Sequence, residues 1–235
     1  MKNQKINNMF FAAECTVYAL SAAVLMLLGI SGKVSPEAAN IIYICFILFL
    51  YGYLFIMDFV FRRYDNAVHF KMFARHYVST GNDAGILPKK RRGLIPVLGL
   101  WAYYLMAVAL LRKAGVLNWY IFLAGACFMM IFNSIFVRKV CLLSVLFLHN
   151  RNDCCKNCGI NNWDYAIFSS ALFFAPKMSA AATAVNLAII VLSFVMMLAW
   201  EISYHRHPER FYPETNEALR CSHCLKQCRF RSDDR

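Results

Sequence analysis

Charged residues are scarce in this 235-residue chain: Asp, Glu, Lys and Arg make up 16% of it, against roughly 25% in soluble globular domains. Hydrophobic residues reach 60%, where roughly 45–50% is ordinary, and a soluble core of this size could not hide that much apolar surface. A water-soluble domain is therefore excluded. Acidic residues are scarcer still, 13 against 25 basic, for a net charge of +12. No basic soluble domain with readable elements accompanies that excess, so nucleic acid is not an expected partner. Phosphate-binding glycine loops, a nucleophile elbow, an HExxH motif and internal repeats are all missing, which points away from an enzyme. No histidine directly follows a C-x-x-C pair and no strand-to-helix context surrounds one, which excludes c-type haem and thioredoxin-like chemistry. All six histidines lie at span ends or in loops, so a bis-histidine haem within the membrane is excluded as well.

What is present is a set of long apolar runs separated by four polar clusters. A spanning helix needs about 20 mostly apolar residues to cross roughly 30 Å of hydrocarbon. Runs near 9–30, 38–61, 94–111 and 117–137 meet that requirement, with tight turns at 31–36 and 112–115 making two hairpins. Lys2 and Lys5 precede the first run, but it reaches about residue 30 and lacks an A-x-A cleavage site, so it reads as a retained span. The apolar region from Trp163 to Tyr204 is divided by Pro176 and Lys177 into a short piece, 163–175, and a long one, 178–203.

The positive-inside rule decides whether the short piece crosses. With the first residues inside, the segment 62–93, the segment 138–156 and the tail 205–235 all fall inside only if there are six spans. The external share of 25 basic residues is then Lys33, Arg112, Lys113 and Lys177. The sequence thus predicts an all-α, polytopic bundle of about six transmembrane helices in the cell membrane, with both termini cytoplasmic. The short fifth span requires local bilayer thinning or a re-entrant path buried by protein. Trp119, Trp163 and Trp200 fall at span ends, as in an aromatic belt.

Of ten cysteines, Cys15, Cys45, Cys127 and Cys141 lie singly in apolar stretches and read as small packing residues. Cys154, Cys155 and Cys158 precede the fifth span, while Cys221, Cys224 and Cys228 follow the sixth. Two thiolates from one tight turn bind one ion, and a second C-x2-C turn completes a tetrahedral set. Cys155, Cys158, Cys221 and Cys224 are accordingly the expected metal ligands, with Cys154, Cys228 and His223 as candidate extras. The 62 intervening residues between the pairs are explained by an inserted helical hairpin that returns the chain to the same side. Structural zinc is the favoured occupant, stapling the tail to the loop at 154–158. An iron–sulfur cluster takes the same four thiolates and implies a redox subunit, and bare or S-acylated thiols are the plain reading.

Glu14, Asp58 and Glu201 lie within apolar spans, where an ionisable group is costly and marks a candidate ion or proton site in a small transporter. Asp58 and Arg62, like Glu201 and His205, are spaced for a local i,i+4 pair instead, whereas Glu14 has no such neighbour. The sequence E-x3-H-x-H formed by Glu201, His205 and His207 is a weaker metal candidate, because Pro208 ends the helix. Segment 62–77 reads as a basic amphipathic surface helix. The run Lys89, Lys90, Arg91 and Arg92 follows it as a patch for anionic lipid headgroups or a protein partner. Gly125 and Asn133 are candidate helix-contact residues. The expected function is that of a scaffold, transport-related component or partner subunit.

Overall fold

The computed structural model describes residues 2–59, 77–81, 94–138, 163–176, 178–212 and 214–219. Among these the chain is mostly helical. Six α-helices occur: α1 (Lys2–Ser31), α2 (Pro36–Phe59), α3 (Leu94–Lys113), α4 (Trp119–Arg138), α5 (Trp163–Ser170) and α6 (Ala180–Arg206). One isolated antiparallel bridge, Ser79 to Asn216, is the single β pairing of the described residues. Two helical stretches, Phe11–Ser31 and Ala180–Arg206, are long and apolar enough to cross a membrane. Pro36–Gly52 and Trp119–Phe132 are shorter apolar helical stretches.

Local chemistry sets the helix ends. Ser35 caps α2, its Oγ accepting the Ala38 N–H at 3.2 Å, and Pro36 occupies the first helical position, where no N–H partner is needed. The α3–α4 turn closes as a Schellman motif: Val116 N–H donates to the Leu111 carbonyl at 3.1 Å and Gly115 N–H to Arg112 at 3.0 Å. Gly115 has φ 72°, a left-handed conformation that costs glycine little.

The contacts between helices fix their directions. Glu14 meets Ser134 and Gly29 meets Tyr120, so α1 and α4 are antiparallel. Tyr43 lies beside both Asn186 and Phe122, near the start of all three helices, so α2, α4 and α6 run the same way. Trp163 reaches Glu201, which makes α5 antiparallel to α6. Trp101 near the start of α3 bonds Ser170 and stacks on Phe194, whereas Arg112 at its end reaches Phe173, so α3 follows α5. The six helices alternate in direction. The starts of α1, α3 and α5 and the ends of α2, α4 and α6 therefore share one end of the bundle, here called the proximal end.

The core holds Tyr18, Leu25, Tyr43, Ile47, Leu50, Leu123, Cys127, Leu172 and Ile189. A few polar side chains are buried in it while many large aliphatic ones are exposed. The inward face of α6 carries Asn186 and Ser193 beside Ile189 and Ile190, while Leu187, Val191, Val195, Leu198 and Ile202 point outward. The Tyr43 hydroxyl donates to Asn186 Oδ1 at 3.1 Å inside the core.

The short fifth piece is irregular. The eight residues of α5 continue as a 3-10 turn, Ala171–Phe174, and the chain is extended at Ala175 (ψ 148°) and again at Ser179 (ψ 162°). Ala171, Leu172 and Ala175 are buried, and the backbone groups released by the irregular path find partners. Arg112 donates to the Phe173 carbonyl at 3.1 Å, and Ser179 N–H donates to Asn40 Oδ1 at 2.9 Å.

Candidate functional site

The proximal end carries a set of polar and aromatic contacts around the last turns of α6. Trp163, the first residue of α5, donates its indole N–H to Glu201 Oε1 at 2.7 Å. One residue before Glu201, Trp200 begins a separate aromatic cluster with Tyr204, Phe211 and Tyr212. Phe211 meets Trp200 and Tyr204 edge-on at 5.0 and 5.1 Å, and the Tyr204 and Tyr212 hydroxyls bond each other at 2.7 Å. Pro208 ends α6 and starts the 3-10 turn Pro208–Phe211, which folds the following chain back on the helix end.

Beyond Tyr212 the chain is held by its own polar side chains. The Asn216 side chain, fully buried, donates to the Arg210 carbonyl at 2.7 Å and accepts the Ala218 N–H at 3.1 Å. Thr215, also buried, donates its hydroxyl to the Glu209 carbonyl. A buried amide whose donor and acceptor are both satisfied fixes a turn without the penalty of an orphaned polar group.

Cys154, Cys155, Cys158, Cys221, Cys224, Cys228 and His223 lie outside the described residues, as do Lys89, Lys90, Arg91, Arg92 and Cys141. Their described neighbours are close in the chain. Cys158 precedes Trp163 by five residues, a reach of at most about 18 Å, and Cys221 follows Leu219 by two. Trp163 stands beside the end of α6 through Glu201, and Leu219 follows Asn216, whose side chain bonds the Arg210 carbonyl.

Glu14 has a tertiary partner after all: Ser134 of α4 donates to its Oε1 at 2.8 Å. A sequence-local search could not find a hydroxyl 120 residues away. Asp58 stands in the last turn of α2, its side chain outside the described residues. Glu201 is engaged across helices by Trp163, and His207 Nδ1 lies 3.3 Å from Glu209 Oε1, outside the E-x3-H-x-H grouping. Among the described residues no three His, Cys, Asp or Glu side chains converge on a metal position.

Several packing expectations are corrected. The glycine at a helix crossing is Gly29, where an added methyl group would fall inside the Tyr120 ring, whereas Gly125 faces open space. The Asn133 side chain is outside the described residues. Trp200 is 2% exposed and belongs to the aromatic cluster, not to an outward belt. Cys127 packs in the core as expected, but Cys45 is exposed on α2. Tyr77, the last residue of the expected surface helix, is not helical, and the rest of 62–77 is outside the described residues. Trp101 was missed because its partner, Ser170, is supplied by another helix. Comparison with models of known families, with curated proteins and with solved structures finds no match for this chain.

Proposed function

We propose that this chain is a non-enzymatic, six-span protein of the cell membrane, its proximal end cytoplasmic, in which Cys155, Cys158, Cys221 and Cys224 hold one zinc ion. The zinc joins the approach to α5 to the tail after α6, making the cytoplasmic face a rigid platform for a partner subunit. The single observation that carries this reading is the Trp163–Glu201 bond, which keeps the start of α5 beside the end of α6. In sequence, Cys158 precedes Trp163 by five residues and Cys221 follows Leu219 by two.

The membrane part rests on the aliphatic outer surface of the helices. Aliphatic side chains cover the outside while Tyr43–Asn186 and Glu14–Ser134 pair inside, the arrangement favoured when the solvent is hydrocarbon. The starts of α1, α3 and α5 and the ends of α2, α4 and α6 lie at one end of the bundle, and a cytoplasmic location of that end is the orientation that the positive-inside rule favours. Closed four-thiolate zinc sites in small peptides supply about 10–16 kcal/mol of apparent binding energy at pH 7. Even a fraction of that exceeds the roughly 1 kcal/mol of a single hydrogen bond such as Tyr204–Tyr212.

The test is metal and acid-labile sulfide content, with an absorption spectrum, on protein purified anaerobically in detergent beside a Cys155→Ser/Cys224→Ser variant. One zinc per chain, lost in the variant, is expected. Iron with sulfide and visible absorption would replace this reading with a redox subunit, and metal-free protein would remove the staple altogether.

A further inference from the structure

Half-way along α6 the core contains hydroxyl groups from three helices. α2 and α6 run parallel, because Asn40 accepts the Ser179 N–H at 2.9 Å and Tyr43, farther along α2, donates to Asn186, farther along α6, at 3.1 Å. Continuing both helices by two turns, about 10–12 Å, reaches Tyr51 on one and Ser193 on the other. α3 meets them at that level. Trp101 stacks on Phe194, the residue after Ser193, and Tyr104, one turn along α3, is within electrostatic range of Tyr51.

Tyr51 is buried and Ser193 is 0% exposed, yet the Ser193 Oγ has no hydrogen-bond partner among the described residues. Serines elsewhere in the bundle bond a carbonyl of their own helix, as Ser169 and Ser170 do with Ala166 and Ile167. A hydroxyl buried without a partner carries the full cost of its lost hydration, so a site that leaves one in the core calls for a guest. The guest is neutral, because the buried polar residues among those described are serine, threonine and asparagine, with no charge to balance an ion. It must also donate and accept, as the tyrosine and serine hydroxyls do. We infer that Ser193, Tyr51 and Tyr104 hold a buried water between α2, α3 and α6. Two to four polar partners are what such a water requires, and it ties α3 to the other two helices through polar bonds. The Tyr43–Asn186 bond lies on its distal side, and the Trp101 indole, bonded to Ser170 at 2.9 Å, stands near its level.

The experiment is X-ray radiolysis of the full chain in detergent, which turns a bound water into a hydroxyl radical that oxidises the side chain beside it, followed by mass spectrometry of the peptides holding Tyr51 and Tyr104. Oxidation of Tyr51 in the wild-type chain is expected despite its burial. Ser193→Ala removes one bond to the water and should lower that oxidation about fivefold, whereas Ser193→Thr keeps the hydroxyl and should keep most of it. Tyr51→Phe, read at Tyr104, should lower oxidation in the same way and covers the case in which Ser193→Ala fails to fold. An unoxidised Tyr51 in the wild-type chain overturns the site, as does equal oxidation of Tyr51 in the wild type and Ser193→Ala.

Discussion

At the scale of single residues, the proximal corner depends on side chains whose partners come from other helices. Trp163 and Glu201 are half-buried, so an indole donating to a carboxylate there is worth about 1 kcal/mol, below the roughly 1.5–3 of a fully desolvated charged bond. Trp163→Phe should lower thermal stability in detergent by that amount and weaken zinc retention, whereas an unchanged zinc affinity would detach the bond from the metal site. Gly29 illustrates packing at the same scale. Gly29→Ala forces Tyr120 or the α1–α4 spacing to move and is expected to cost about 1–3 kcal/mol, while Gly125→Ala stays within about 0.5 kcal/mol. Parallel melting curves decide this, and equal effects of the two would contradict the crossing. None of this was legible beforehand, because a glycine at a contact and a glycine facing outward are the same letter.

The informative element is the stretch from Trp163 to Ser179. Its composition announced an apolar segment too short to be a regular spanning helix, and Pro176 announced the break. The path of the eight helical residues and the 3-10 turn after them depended on partners elsewhere. Asn40 and Arg112 supply them from α2 and α3. Asn40→Ala leaves the Ser179 N–H without its acceptor and should cost about 1–3 kcal/mol, since a half-buried donor in an apolar surrounding has no ready substitute. Asn40→Asp, which keeps an acceptor oxygen in place, should recover part of the loss. If both variants melt like the wild type, the extended stretch is satisfied in some other way.

For the whole molecule, alternation of helix direction carries the strongest topological prediction. A reporter active only outside the membrane should be silent when fused after Arg235 and active when inserted after Lys33 or Lys113. Activity at the C-terminus would separate the two C-x2-C pairs by the bilayer and sink the shared zinc site together with the six-span arrangement. The charge pattern alone led to this arrangement, whereas the tertiary contacts, Glu14 with Ser134, Tyr43 with Asn186 and Trp163 with Glu201, set the relative directions of the helices and not their place in a membrane.

Hydrophobic content and run length determined the helical class and the approximate ends of the long helices. These are local or additive properties, readable from any window of the chain. The tertiary structure decided what depends on pairs distant in sequence. It turned Trp200 inward, gave Glu14 a serine, placed Gly29 rather than Gly125 at a crossing, and tied 77–81 to the tail through Asn216. Composition sets the solvent a chain requires, but the direction of each side chain is set by the surface of another helix, and that surface exists only once the bundle has formed.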